Sequence, residues 1–366
     1  FYDISGTNNS LATGFALQAR GNADGKWEEL KQHNFGIDLS LLNGKFGVVF
    51  DVFSKETQDL LFTAAEPGTA GSANPAARNI ATMKNTGFDA RLTWRDQLTS
   101  DLGIDLGLNI GSYKNEITRV SDSQTQFFTN NGSRIGTTSI NRIGDALGSF
   151  YGLEQDGIFA SQAEVDAHAS QPGAAVGRIR FTDLNNDGAI DDNDRTILGS
   201  FHPSLTTGLN VGLTYKDFDL SAFVFGSFGN EIFNFNRLFT DFSQFEANVR
   251  TEVLENAWSP QNLDSDIPAP DYGGRGFNSR PSSYYVEDAS YVRLENIQVG
   301  YRINNIGGSE YSARLYVQGQ NLFTATGYTG LDPAMSIFGV GDTAAGLDLG
   351  NYPSNKSVIF GFNLSF

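Results

Sequence analysis

The feature that most constrains this chain is a period-two alternation of apolar and polar residues over long segments. Apolar residues occupy every second position from 35 to 41, and after Asn43-Gly44 the alternation resumes from 46 to 52. Because successive side chains of a strand point to opposite faces, the pattern predicts an all-β fold rich in antiparallel hairpins. The alternation recurs at 88–94, 102–110, 205–215, 218–224, 297–303, 313–317 and 360–366.

Helical signals are few. Ser161-Gln-Ala-Glu164 has the form of a capping box, which predicts one short helix running through about His168. The stretch at about 240–260 is a second candidate for a helix. Strands therefore dominate the predicted fold.

The composition narrows the classes of protein that fit. The chain has 366 residues, a formal net charge of −17 and no Cys, which excludes disulfides, thiolate metal sites and a Cys nucleophile. The excess of acid argues against a nucleic-acid-binding surface, because phosphate contacts need clustered Lys and Arg. The 29 Phe and 13 Tyr are many for so polar a chain and require an apolar environment.

Strand length separates a soluble β-sandwich from a membrane β-barrel, which both alternate in this way. The runs extend over about 9–13 residues, which suits membrane strands better than the usual 5–6 residues of soluble ones. Small residues such as Gly103, Asp105 and Gly107 occupy the other face, and they suit the polar interior of a barrel. Aromatic residues near the strand ends fit a membrane interface: Trp94, Tyr113, Tyr215, Phe218, Phe228, Tyr301 and Phe323.

The lengths of the connections point the same way. Short connections are predicted at 43–44, 96–100, 216–217 and 304–311, and long ones at 55–85, 113–203, 230–289 and 325–356. Alternation of short periplasmic turns with long extracellular loops is the rule in outer-membrane barrels. If turn 43–44 is periplasmic, the strands alternate in direction consistently and the C-terminus is also periplasmic. We therefore expect part of a transmembrane antiparallel β-barrel with long extracellular loops.

Five separated segments carry a family resemblance. In chain order they lie at 1–42, 177–200 (GRIRFTDLNNDGAIDDNDRTILGS), 214–234, 284–301 and 314–333, and the chain ends in Phe366. Together they resemble the C-terminal part of the SusC/RagA family of TonB-dependent outer-membrane transporters of Bacteroidetes. The resemblance implies that residues 1–366 supply about 9–11 strands of a single barrel domain of about 22 strands. The plug domain and the TonB box are expected to lie outside this chain.

The resemblance also implies a function and partners. It implies a TonB-dependent active importer of oligosaccharides or peptides in the cell outer membrane. The expected partners are a SusD-like surface lipoprotein, the remainder of the same barrel, outer-membrane lipid, and TonB acting through the missing N-terminal region. Two alternatives stay open, a structural or secretion component of an outer-membrane complex and a soluble calcium-stabilised sugar-binding β-sandwich.

One loop has the pattern of a metal site. Residues 183–194 match the calcium-loop template D-x-[DN]-x-[DN]-G, with Asp in place of Glu at the twelfth position. Hard Ca²⁺ prefers six to eight oxygen ligands, which alternate side chains and a turn at Gly188 would supply. The alternative is a plain Asn-Asp-Gly turn held by Asx hydrogen bonds. The expected structural Ca²⁺ ligands are Asp183, Asn185, Asp187, Asp191 and Asp194 with the carbonyl of Ala189.

Catalytic patterns are not found in the sequence. His33, His168 and His202 share no spacing, and the adjacent acids Asp191 and Asp192 cannot flank a glycosidic bond. We therefore expect no enzyme. The Gly-rich segment 338–342 is predicted to be a loop. Loop tyrosines that could contact sugar or a partner are Tyr151, Tyr272, Tyr284, Tyr285 and Tyr328.

Overall fold

The fold is taken from a computed structural model of the whole chain. The structure describes residues 2–3, 12–13, 21–63, 76–121, 125–128, 135–242, 248–270, 279–306, 310–334 and 345–365. These residues are mostly strand, which confirms the all-β prediction. None of the helices among them has the length and apolar character needed to cross a bilayer.

Nine long strands form one antiparallel sheet, which we call the wall. Each wall strand pairs with the next one along the chain, so the sheet is a simple up-and-down meander. This order confirms the predicted alternation of strand direction. The wall strands are β3 (Glu29–Leu41), β4 (Phe46–Thr63), β5 (Ala77–Gln97), β6 (Leu102–Val120), β13 (Leu205–Tyr215), β14 (Phe218–Phe228), β17 (Tyr291–Ile303), β18 (Ser312–Thr326) and β20 (Ser357–Ser365).

The strand register places the apolar residues on one face of the wall, which we call the outer face. Leu213, for example, lies level with Ile104 on one side and with Leu220 on the other. Side chains of this face remain largely exposed, and Phe360 is 78% exposed. A β-sandwich would bury this face against a second sheet, so the soluble sandwich alternative is wrong.

The outer face changes from apolar to polar at a common level on neighbouring strands. Ser54, Thr86 and Lys114 occupy the first row that is polar on all three strands, and the next row contains Glu56 and Lys84. β4, β5 and β6 continue past this level to Thr63, Ala77 and Val120. The predicted loop is therefore wrong at 55–63 and 77–85, because the outer face becomes polar there and register shifts interrupt the apolar alternation before the strands end.

The short connections lie where they were predicted. At 43–44 the turn is longer than a two-residue hairpin loop, since β3 ends at Leu41 and β4 begins at Phe46. Leu42, Asn43 and Gly44 all adopt positive φ, with values of 54°, 56° and 85°. Asn and Gly tolerate this conformation, which explains why the chain reverses here.

The long connections fold together into a second region, which we call the loop assembly. It comprises the described residues of 121–204, 229–290 and 327–356. Its strands are β7 (Gln126–Phe128), β8 (Ser139–Arg142), β9 (Ser149–Leu153), β10 (Gln155–Ile158), β11 (Ile179–Phe181), β12 (Arg195–Gly199), β15 (Glu231–Asn234), β16 (Val286–Asp288) and β19 (Leu347–Asp348). The remaining pair, β1 (Tyr2–Asp3) and β2 (Ala12–Thr13), is separate.

The loop assembly contains all the helices of the described chain, and they are short. They are α1 (Gln162–Ala167), α2 (Arg237–Thr240) and α3 (Thr251–Asn256), with 3-10 turns at Asp192–Asp194 and Ser283–Tyr285. The predicted capping residue is confirmed, because the Ser161 hydroxyl accepts a hydrogen bond from the Glu164 N–H at 3.3 Å. The helix predicted near 240–260 corresponds to the single short turns of α2 and α3.

An aromatic core holds the loop assembly together. Phe150 and Phe233 lie in contact at 6.0 Å between ring centroids, and Phe233 stacks on Tyr285 at 5.2 Å. Leu347 from the last long loop and Ile190 from the predicted calcium loop complete the same cluster. Segments far apart in sequence therefore share one core. The predicted loops at 113–203 and 230–289 are folded structure in large part.

Candidate functional site

The inner face of the wall, opposite the outer face, is mainly polar and rich in small residues, although Phe223 and Phe225 also lie on it. One row across four strands reads Gly36, Asp51, Asp89 and Gly111. The Asp51 carboxylate lies over Gly36, where a Cβ atom would overlap it, and Asp89 lies close over Gly111. The two glycines thus let the facing carboxylates separate, which lowers the repulsion between like charges on neighbouring strands.

Ion pairs occupy the inner face near the short connections. Arg95 Nε donates to Asp105 at 2.8 Å, and Arg314 binds Asp219 through both Nε and Nη2. Gln298 accepts a further hydrogen bond from Arg314. These pairs lie on the face that the sequence predicted to be the polar interior of a barrel.

The loop assembly packs against the inner face of β4, β5 and β6, where these strands continue past the apolar rows of the outer face. The Tyr113 hydroxyl lies 3.1 Å from His202 Nδ1, and the other ring nitrogen of His202 lies 3.2 Å from the Leu147 carbonyl. Asn115 Oδ1 accepts from the Leu147 N–H at 2.8 Å, and Phe127 joins a buried cluster on the wall. Tyr113 therefore faces the loop assembly, and its predicted place in the aromatic girdle is wrong.

The other aromatic residues at the strand ends fit the predicted girdle more closely. Tyr215, Phe218 and Tyr301 are adjacent on the outer face, with Phe218 and Tyr301 rings 4.7 Å apart. Trp94 and Phe323 are also exposed. This arrangement matches rings at a membrane interface.

A buried ion pair attaches the last long loop to the wall. Arg293 of β17 binds Asp332, which also accepts from the N–H groups of Ala334 and Ser354 at 2.9 Å. Burial alone would raise the pKa of Asp332, but the hydrogen bonds from Ser354 and Ala334 and the Arg293 guanidinium outweigh it and lower that pKa to about 2. Asp332 is therefore ionised in the folded protein at all but strongly acidic pH.

A network of charged side chains lies inside the loop assembly. Arg250 donates two hydrogen bonds to Asp241, at 2.7 and 2.8 Å, and the Tyr284 hydroxyl donates a third at 2.6 Å. Burial raises the pKa of Tyr284, and the neighbouring Asp241 carboxylate raises it further. Arg237 pairs with Glu287 at 2.9 Å. This network borders a polar cavity of about 560 Å³.

The predicted calcium ligands lie together on one loop, and their side chains hydrogen-bond with that loop itself. Asp194 is fully buried and accepts from the N–H groups of Leu184 and Asp191, at 3.0 and 2.8 Å. Asp183 Oδ2 accepts from the Gly188 N–H at 2.9 Å, whereas its Oδ1 is shielded and has no hydrogen-bond partner.

The other predicted ligands also make local contacts. Asp187 Oδ1 accepts from the Ala189 N–H, and Asp191 Oδ1 accepts from the Asn193 N–H. Asn185 accepts from the Asp187 N–H and donates to the Asp187 carboxylate, at 2.9 Å in both cases. Within the described ranges, no three His or acidic side chains are arranged to hold a metal ion. The calcium site stays a prediction.

Most of the loop tyrosines are packing residues. Tyr284 and Tyr285 are buried in the aromatic core, and Tyr328 is buried with its hydroxyl on Asp348 at 2.6 Å. The Arg195 guanidinium lies over the Tyr151 ring. Tyr272 and the Gly-rich segment 338–342 lie outside the described residues.

Sequence reasoning missed the charged network around Asp241. Asp241, Arg250 and Tyr284 come from three separate segments, and no local spacing relates them. The one available signal was composition, because charged residues close to a run of aromatic residues at 232–242 must be paired if that run is buried.

Comparisons with known proteins agree with this geometry. The family model described as "TonB dependent receptor-like, beta-barrel" matches residues 1–322. TonB-dependent receptor P3 of Formosa agariphila is 33% identical over 369 residues, which cover 98% of this chain and 36% of that protein. TonB-dependent receptor SusC of Bacteroides thetaiotaomicron is 27% identical over 94% of this chain and 32% of that protein. The chain thus spans about a third of the length of the relatives it matches.

Solved structures show the same fold. The structure of the RagAB peptide transporter superposes with a TM-score of 0.79 at 24% identity, covering all of this chain and 38% of that one. The RagAB peptide importer in its "closed-closed" state gives a TM-score of 0.77. The likeness identifies the wall as part of a β-barrel, which in the described residues is not closed.

Proposed function

Because this chain belongs to the family of TonB-dependent receptor β-barrels, and within it to the SusC/RagA type, we propose that it is the C-terminal part of an active nutrient importer of the outer membrane. The observation that carries the proposal is the nine-stranded meander with an exposed apolar outer face and a polar inner face. Lipid would cover the outer face, and a transport path would run along the inner face. The family is one of transporters, and we propose no catalytic activity.

The wall must be completed by other strands. An open sheet within a membrane would leave the backbone groups of β3 and β20 without partners in lipid, at a cost of several kcal/mol per group. We therefore propose that the remainder of the same protein supplies the missing strands, together with the plug domain and the TonB box. The short length of this chain relative to its relatives supports this proposal.

We propose that the short connections face the periplasm and that the loop assembly is extracellular. This part of the chain contains no Cys, so single Cys variants can report the orientation. In intact cells a membrane-impermeant maleimide is expected to label Asn186→Cys in the exposed loop at 183–194. The matched variant Asn43→Cys, in a short turn, is expected to react only after the cells are broken. The reverse pattern would contradict the proposed orientation.

The proposed partner of the loop assembly is a SusD-like surface lipoprotein. The resemblance to the SusC/RagA family supports it, and the proposed substrates are oligosaccharides or peptides. The solved RagAB relative is described as a peptide transporter. Co-purification of a surface lipoprotein with the full-length protein would support this proposal, and recovery without such a partner would count against it.

Import is tested by uptake in cells. A strain that expresses the full-length protein is expected to take up its substrate only while TonB is present. The same strain with TonB deleted is expected to lose uptake but to retain the barrel in its outer membrane. Uptake that persists without TonB would refute active import. A protein needed for secretion or assembly, the other function considered, would instead leave uptake unchanged when it is deleted.

We also propose a structural Ca²⁺ at 183–194. The shielded and unpartnered Oδ1 of Asp183 supports it, because such an atom requires a water or a cation. Binding would require the Asx hydrogen bonds of this loop to rearrange. Metal analysis after dialysis at micromolar free calcium tests the proposal. Retention of about one Ca²⁺ in the wild type and its loss in Asp183→Asn would support it, whereas a calcium-free wild type would refute it.

A further inference from the structure

The polar cavity in the loop assembly has the size of a small-molecule site. Its volume is about 560 Å³, and small-molecule pockets occupy roughly 300–1,000 Å³. Segments of the loop assembly that are distant in sequence contribute to its lining, including β10, α2, α3 and the 3-10 turn at 283–285. The cavity is therefore formed only when these long loops are folded together.

One side of the cavity is held rigidly by paired charges. Arg250 is bound through two hydrogen bonds to the fully buried Asp241. Glu287 contacts Arg237 and also accepts hydrogen bonds from the N–H and the hydroxyl of Thr329, both at 2.9 Å. Each guanidinium group is thus matched by one carboxylate, and the two pairs together contribute no net charge.

Two further carboxylates line the cavity without such partners. Glu252 of α3 and Asp266 are both exposed. Within the described part of the chain, neither forms an ion pair or a hydrogen bond. The positive charge near Glu252 is that of Arg250, which is already bound to Asp241. Among the described residues, the two arginines are therefore offset by Asp241 and Glu287, and Glu252 and Asp266 leave about two uncompensated negative charges at the cavity.

We propose that this cavity binds the cationic side chain of a short peptide, with Glu252 and Asp266 supplying the opposite charge. An anionic ligand would be repelled by both carboxylates. A sugar ring usually stacks on an exposed aromatic face, whereas the Tyr284 ring in this lining is buried and its hydroxyl is bound to Asp241. This inference rests on the proposed import function in taking the ligand to be a transported peptide.

The test is equilibrium binding of three tripeptides to the purified full-length transporter. Trilysine is expected to bind more tightly than trialanine, and triglutamate more weakly than both. The double variant Glu252→Gln with Asp266→Asn is expected to weaken trilysine binding about tenfold while leaving trialanine binding unchanged. Glu255→Gln is the matched control, because Glu255 is exposed on the same helix but lies outside the cavity lining. It is expected to bind like the wild type.

Two results would overturn the proposal. One is trilysine binding that is absent or no tighter than that of trialanine, and the other is equal weakening by the control and by the double variant. Limited proteolysis confirms that the double variant retains its fold. TonB-dependent uptake is measured separately in cells. If the wild type does not prefer trilysine but its uptake still requires TonB, only the cationic site is refuted. Uptake that does not require TonB refutes the import function.

Discussion

The wall and the loop assembly use their apolar residues in opposite ways. Among the described residues, twelve large side chains are fully buried, and Ile117 alone of these belongs to the wall. The other eleven lie in the loop assembly, as Phe150, Phe233 and Tyr285 do. The wall instead exposes Phe360, Phe362 and their neighbours on its outer face. One region has a core, and the other has an apolar surface.

The difference reflects the two environments in which one chain must be stable. The loop assembly buries aromatic rings and pairs its internal charges, as a region exposed to water does. The wall requires lipid on its outer face and satisfies its backbone through the strand ladder. The many Phe and Tyr residues therefore have two roles, a buried core in the loop assembly and an apolar outer face on the wall. Mean hydropathy over the whole chain describes neither region.

The largest predicted effect comes from the same truncation made once in each region. Phe150→Ala is expected to destabilise the loop assembly by about 3–5 kcal/mol, because Phe150 is fully buried and its removal leaves a cavity. Phe360→Ala is expected to leave the loop assembly unchanged, since lipid fills the space beside the wall. Hydrogen exchange of the full-length transporter measures both, through the protection of amides in β9 and β15.

Equal protection of the β9 and β15 amides in Phe150→Ala and Phe360→Ala would contradict this prediction. That result would show that Phe150 contributes no more to the loop assembly than a lipid-facing residue does. Retention of heat-modifiable migration on gels checks that both variants still form a barrel.

The wall could be predicted largely from the sequence, whereas the loop assembly could not. The bounds of β13 agree with the predicted segment 205–215, because strict alternation extends over the whole strand. β4 and β5 extend far beyond their predicted ends, because register shifts near Leu60 interrupt the alternation and the apolar residues there no longer recur at every second position. The strand ladder there depends on backbone pairing, which sequence patterns do not record.

The loop assembly could not be predicted from the sequence for a different reason. Its strands contain only 2–5 residues, too few to show a period. Its contacts join positions far apart in sequence, as the Gln155 N–H bond to the Ser283 hydroxyl does. Sequence signals predicted this region correctly only where a contact joins residues close in sequence, as the Ser161 N-cap does.

The second prediction tests the assignment of the two faces of the wall. Leu213→Arg places a charge on the outer face and is expected to cost about 2–4 kcal/mol if that face meets the bilayer core. Asn210→Arg on the inner face of the same strand is expected to cost much less, because that face is polar. Folding into lipid vesicles, followed by chemical denaturation, measures the difference. A larger cost for Asn210→Arg would reverse the assignment.

The third prediction concerns the ion pair that joins the two regions. Because the folded pKa of Asp332 is about 2, below its ordinary value of about 3.9, the ion pair stabilises the fold above pH ~4. The stability is lost as pH falls toward 2 and amounts to about 2 kcal/mol. Pepsin is expected to cleave the loop at 327–356 faster at pH 2 than at pH 4. Each rate is divided by the rate at which pepsin cleaves an unstructured peptide at the same pH. In Asp332→Asn this relative rate is expected to be high at both pH values, and a relative rate that still changes with pH would assign the effect to another group.

The smallest predicted effect comes from an ion pair of similar geometry on the inner face of the wall. Arg95 and Asp105 lie 2.8 Å apart, but their side chains are 66% and 53% exposed, against 7% and 6% for Arg293 and Asp332. Water screens the exposed pair, so Asp105→Asn is expected to cost at most about 1 kcal/mol in the same vesicle assay. A cost of several kcal/mol would mean that another part of the full-length protein covers this face and excludes water from the pair. The inner face would then resemble the loop assembly more than the lipid-facing surface of its own strands.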